Sequence, residues 1–137
     1  MWWHFALLSA FFAALTAILA KIGIKGIDSD LATAVRTVVI LVIVWGIVII
    51  KNGTGAISSL TKNNLLFLGL SGIATGLSWL FYFRALQMGK VSQVAPVDKA
   101  SVAIAIILSI LFLGEAVSIK TILGAALVVA GTIVIIL

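Results

Sequence analysis

The stretch LATAVRTVVILVIVWGIVII, residues 31–50, carries a single charged residue, Arg36, in twenty positions. At 1.5 Å of rise per residue it forms a helix about 30 Å long, the thickness of the hydrocarbon core of a bilayer. Four further runs of the same character occupy residues 3–20, 64–83, 94–113 and 121–137. Over 137 residues the hydrophobic share is 64% and the charged share 9%, and the mean hydropathy is +1.36. A soluble fold could not hide that much apolar surface. The runs leave no room for a separate soluble domain. They predict one all-α integral membrane domain over residues 1–137, a bundle of five transmembrane helices.

The segments between the runs carry the polar and turn-forming residues. Lys21, Gly23, Lys25, Gly26, Asp28, Ser29 and Asp30 close the first span and open the second. Residues 51–63 form the longest connection, rich in glycine, asparagine, serine and lysine, and read as an interfacial turn or surface helix. Residues 87–93, with Gly89, Lys90 and Ser92, and residues 114–120 make the other two junctions. Connections this short force successive helices to lie antiparallel. No Lys or Arg precedes the first run, and Ile18 spoils a small-residue cleavage site ending at Ala20, so the run is expected to remain as the first helix rather than be removed as a signal peptide.

Five spans put the two ends of the chain on opposite sides of the membrane. Connections on the amino-terminal side carry Lys51, Lys62 and Lys120; those on the other side carry Lys21, Lys25 and Lys90, with Arg84 just inside the third span. Orientation follows Lys and Arg in short loops, so this near balance is what a chain inserting both ways would show. Counting Arg36 and Lys99 as well would favour the second side as cytoplasmic.

Composition also removes whole classes of function. Without cysteine there is no disulfide or thiol chemistry, and one histidine with four carboxylates does not make a metal site. The nine basic residues are scattered singly, which does not fit a nucleic-acid surface despite the net charge of +5. No nucleophile, base and carboxylate constellation and no phosphate loop is present, so no enzymatic activity and no cofactor is expected.

What remains are polar groups within the spans. Arg36 lies about five residues, or roughly 8 Å, inside the second span. Asp98 and Lys99 lie a few residues into the fourth, and Arg84 closes the third. By alternate crossing all four belong to the same half of the bundle. Ionisable groups at such depth face the interior, pair, or line a wet cavity. Arg84 and Lys99 have stems long enough to snorkel to the headgroups; for Arg36 and Asp98 a place on a transport pathway competes with a structural ion pair. Pro96 should interrupt the start of the fourth helix, as in the broken helices from which transporters build binding sites, or act only as a kink.

Gly72 and Gly76, among Gly69, Ser71, Ala74, Thr75 and Ser78, give the third span a face small enough for close helix contact. At its far end Trp79 and Phe83 share a face by i, i+4 spacing with Tyr82 beside Trp79. This is either an interface belt or an aromatic wall for an amphipathic substrate. Trp2, Trp3 and His4 read as an interfacial anchor. Glu115 is placed to face headgroups or to cap the fifth helix, and that helix, with Gly124, Ala126, Ala130 and Gly131, reads as a packing element.

The residues Tyr82, Arg84, Ala85, Leu86 and Gly89, then Val94, Ala95, Pro96, Val97, Asp98 and Lys99, and finally Leu113, Gly114 and Glu115 with Gly124 and Gly131, resemble an EamA-type domain of the drug/metabolite transporter superfamily. Residues 17–25 and 28–36 resemble the start of that family's five-helix bacterial and archaeal members. Most members join two such domains in tandem, the second inverted. A single domain therefore implies one half of an inverted-repeat transporter, paired as an antiparallel homodimer of dual topology or as a heterodimer with a related half-size chain.

The resemblance further implies alternating-access movement of a small organic metabolite or drug across the bacterial or archaeal cytoplasmic (inner) membrane, with Arg36, Pro96, Asp98 and Lys99 as cavity positions. Beside them the residues themselves offer Trp79 and Tyr82 for the apolar parts of a substrate. The competing functions are an accessory or assembly subunit held to another membrane protein by its small-residue faces, and a flippase subunit for a lipid-linked metabolite.

Overall fold

The computed structural model describes residues 1–51 and 53–137. The described residues are mostly helical, joined by short turns and irregular segments, with no strand among them. Five helices are long and apolar enough to cross a membrane: Trp2–Gly23, Ser29–Ile50, Lys62–Met88, Val91–Leu113 and Ile119–Ile136. We number the helical elements α1 (Trp2–Gly23), α2 (Ser29–Ile50), α3 (Lys62–Met88), α4 (Val91–Asp98), α5 (Ser101–Leu108) and α6 (Ile119–Ile136). The fourth span is thus two helices in series, α4 and α5, continued by a π turn at Ser109–Leu113.

The chain boundaries follow from local chemistry. Lys21 in the last turn of α1 suits the negative end of the helix dipole. Gly26, at φ +77°, turns the chain in the left-handed region that other residues avoid. Asp28 then caps α2, its carboxylate accepting from the backbone N–H groups of Asp30 (2.9 Å) and Leu31 (3.2 Å). Ser118 caps α6 in the same way, accepting from Thr121 N–H at 3.2 Å. Glu115, one of the two roles of which was to cap this helix, stays exposed four residues before it; the shorter hydroxyl side chain adjoining the first turn takes the cap instead. The 51–63 connection contains a 3₁₀ segment, Gly53–Ser59, and Asn52 within it lies outside the described residues.

Packing divides the chain into two compact units, Met1–Lys21 with Met88–Leu137, and Ile22–Gln87. In the first, α4 and α5 lie against α6, Ala17 and Thr132 are buried, and Lys21 Nζ donates to the Gly89 carbonyl at 2.8 Å. In the second, Gln87 Nε2 donates to the Ile27 carbonyl at 2.7 Å, so the end of α3 meets the turn before α2. Around that junction are buried Ile24, Ser29, Ala32, Thr33, Phe83 and Leu86. The rest of both helices is bare: Val42, Ile43, Leu66, Phe67 and Ile73 are all more than half exposed. In a bilayer such side chains need no protein core, because lipid tails are as apolar as leucine.

Candidate functional site

Two sets of polar residues interrupt the apolar helices, one in each unit. Arg36 is the eighth residue of α2, about 10 Å along a helix that begins two residues earlier than the 31–50 run. Its guanidinium carbon lies over the Trp79 ring at 4.1 Å from the centroid and 5.1 Å from that of Phe83. The two rings come from one face of α3, as their i, i+4 spacing requires. Phe83 is 2% exposed and makes an edge contact with Tyr82, centroids 6.4 Å apart. Tyr82 is near enough to interact electrostatically with Arg36. Thr33, about one turn before, and Thr37, the next residue, donate their hydroxyls to their own helix, to the Ser29 and Thr33 carbonyls at 2.8 Å each.

Arg36 is therefore half-buried beneath aromatic rings, and among the described residues no carboxylate lies within ion-pair distance of it. A cation–π contact contributes about 0.5–2 kcal/mol. Placing an arginine at a helix centre costs about 2.5–3.5 kcal/mol by insertion scales. The rings offset part of that cost, and among the described residues the guanidinium N–H groups make no hydrogen bond.

The second set lies on the fourth span. Pro96, the sixth residue of α4, is inside the helix, and the helix gives way three residues later, at Lys99–Ala100, not at its start. As the sixth helical residue, past the first turn, proline leaves the Ser92 carbonyl without its i+4 N–H partner. Beyond Pro96 the backbone tightens to i+3 bonds, Lys99 N–H to the Pro96 carbonyl and Ala100 N–H to the Val97 carbonyl, both 3.0 Å. Thr132 of α6, 5% exposed, completes the arrangement. Its hydroxyl donates to the Pro96 carbonyl (3.1 Å) and to the Val128 carbonyl (2.8 Å), one proton shared between two acceptors.

Asp98 is the eighth residue of α4, the same depth as Arg36 on α2. It forms an ion pair with its neighbour, Lys99 Nζ to Asp98 Oδ2 at 3.2 Å, with 57% of the lysine side chain and 37% of the aspartate exposed. Where water reaches it, such a pair contributes about 0–1 kcal/mol. It holds two opposite charges at a helix break without locking them.

The candidate residues thus fall into two groups, Arg36 with Trp79 and Tyr82, and Asp98 with Lys99 beside Pro96. Arg84 is exposed. Phe83 fits the aromatic wall expected from the sequence, and Thr132 is a residue the sequence does not single out. Phe83 was within reach through its spacing from Trp79, whereas nothing in a run of Gly, Thr, Ile and Val marks Thr132 as the partner of a carbonyl thirty-six residues away.

The sequence profile of the EamA-like transporter family matches residues 1–137, the whole chain. The chain belongs to this family. A protein of Sinorhizobium sp named as an uncharacterized transporter in the cobO 3′ region is 48% identical over 132 residues, which are 96% of this chain and 94% of that protein. The two are thus of similar length. No solved structure matches the chain significantly. As an EamA-like protein with five membrane-spanning helices among its described residues, the chain is a multi-pass membrane transporter.

Proposed function

We propose that this EamA-like protein is a secondary transporter that moves a small organic metabolite across the cytoplasmic membrane by alternating access, two copies of the chain joining in opposite orientations. The observation that carries the reading is the break in the fourth span, where Pro96 and the Lys99–Ala100 turn interrupt a membrane helix beside an ion pair. Irregular backbone at membrane depth is tolerated where it lines a cavity or is buried in protein, and transporters place their sites at such breaks. Asp98 is the carboxylate placed to balance a bound charge or to take a proton. Protonating it releases Lys99, so the site interacts differently with a solute in its two states, which is what coupling requires.

Pairing is supported by the near-balanced loop charges, by a relative of similar length, and by the α3 face at Gly69, Gly72 and Gly76, where an added Cβ would meet nothing within 4 Å. The same open face also suits an accessory subunit bound to another membrane protein. Purified protein in liposomes separates the two. A transporter moves at least one solute of a broad metabolite panel under an imposed proton gradient; an accessory subunit moves none and co-purifies with its partner. Cysteines added at each end of this cysteine-free chain should label from both faces of sealed vesicles, and labelling of each end from one face only would exclude the antiparallel homodimer.

A further inference from the structure

We infer that Arg36, seated on Trp79, is the binding site for an oxyanion, the carboxylate or phosphate group of the transported solute. The inference rests on the transporter reading and deepens it to a substrate class. Three observations meet at this residue. The guanidinium is an obligate cation about 10 Å along a membrane helix, so it cannot shed its charge to suit the bilayer. Its protein contacts are ring faces, Trp79 at 4.1 Å and Phe83 at 5.1 Å, which hold the group without using its N–H donors. The hydroxyls nearest along α2, those of Thr33 and Thr37, donate to backbone carbonyls, and among the described residues neither oxygen accepts from the guanidinium.

A fork of donors with no acceptor among the described residues, fixed on a buried aromatic floor, matches the planar, two-oxygen geometry of a carboxylate or one edge of a phosphate. Phe83 is buried and serves as that floor, while Trp79 is partly open and can extend apolar contact to the solute beyond its anionic group. A cationic solute does not fit, because the positive charge already occupies the ring face where it would bind. A lipid phosphate has the same oxyanion chemistry, so solute and headgroup must be told apart by measurement.

The test uses the full chain with Trp2, Trp3 and Trp45 changed to phenylalanine, so that emission comes from Trp79 alone. The protein is held in nanodiscs of phosphatidylcholine. Sodium benzoate and phenyl phosphate are titrated against benzamide, the neutral isostere of benzoate, and benzyltrimethylammonium. The expected result is a saturable emission change with one or both anions and none with benzamide or the ammonium ion. Arg36→Lys, which keeps the charge and loses the fork, should weaken binding about tenfold or more, and Arg36→Gln should remove it.

An equal response to benzamide, or no response to either anion, overturns the inference without recourse to any variant. An emission change on adding phosphatidylglycerol that the soluble anions cannot reverse also overturns it, assigning the oxyanion to lipid. Solute flux that persists unchanged in Arg36→Gln leaves the transporter standing and removes this site from it.

Discussion

Arg36 and Asp98 occupy the same position on their helices, the eighth residue, yet their surroundings are opposite. Arg36 stands on an unbroken helix under two aromatic rings, with no carboxylate at hand among the described residues. Asp98 stands where its helix gives way, neutralised by the next residue in the chain. The first arrangement leaves a net positive charge that an outside anion can satisfy. The second leaves no net charge, but a pair that one proton can split. Fixed charge suits recognition, and an exposed, separable pair suits a change of state.

The sharpest way to break this contrast is to remove the fixed charge. Arg36→Gln should lower solute flux in liposomes about a hundredfold, the loss of a bidentate charge-assisted contact of roughly 3 kcal/mol, while Arg36→Lys retains part of the flux. A glutamine variant that transports normally would make Arg36 a structural residue. Next in size is Asp98→Asn. It leaves Lys99 without its counter-charge, and flux driven by a proton gradient should fall about tenfold while thermal stability moves little, since the exposed pair contributes about 0–1 kcal/mol. A large fall in melting temperature with unchanged flux would reverse the assignment.

Two smaller effects test the scaffold beneath each site. Thr132→Val takes the hydroxyl from the Pro96 carbonyl and should destabilise the protein by about 1 kcal/mol, read as a lower midpoint in detergent unfolding; Thr132→Ser should not. Asp28→Ala removes the α2 cap, two turns before Arg36, at a cost of about 0.5–2 kcal/mol on the same assay. If Asp28→Ala weakens flux as strongly as Arg36→Gln, the Arg36 effect is one of folding and the contrast collapses.

How far the sequence is legible depends on whether the determinants are local. The five spans are, because length and hydropathy suffice, and the Asp28 cap is, because its partners are two and three residues away. The pairing of Trp79 with Phe83 is likewise set by helical periodicity. Placement of Arg36 above those rings is not legible, since it depends on how α2 and α3 meet. Nor is the position of the break in the fourth span. Pro96 signals a disturbance, but the helix runs through the proline and yields only after Asp98, where the backbone tightens and Thr132 takes up a share of the Pro96 carbonyl. The extra length of α3, which carries Arg84 within the helix rather than at its end, was hidden by Gln87 and Gly89, polar and turn-forming residues that read as a boundary.

The most direct measurement is solute flux into liposomes bearing wild-type, Arg36→Gln and Asp98→Asn protein side by side, with and without an imposed proton gradient. The expected result is saturable flux of an anionic metabolite in the wild type, lost in Arg36→Gln under every condition and insensitive to the gradient in Asp98→Asn. Equal flux in all three proteins, or none from the wild type across a broad metabolite panel, would contradict a transport role for the two charged sites.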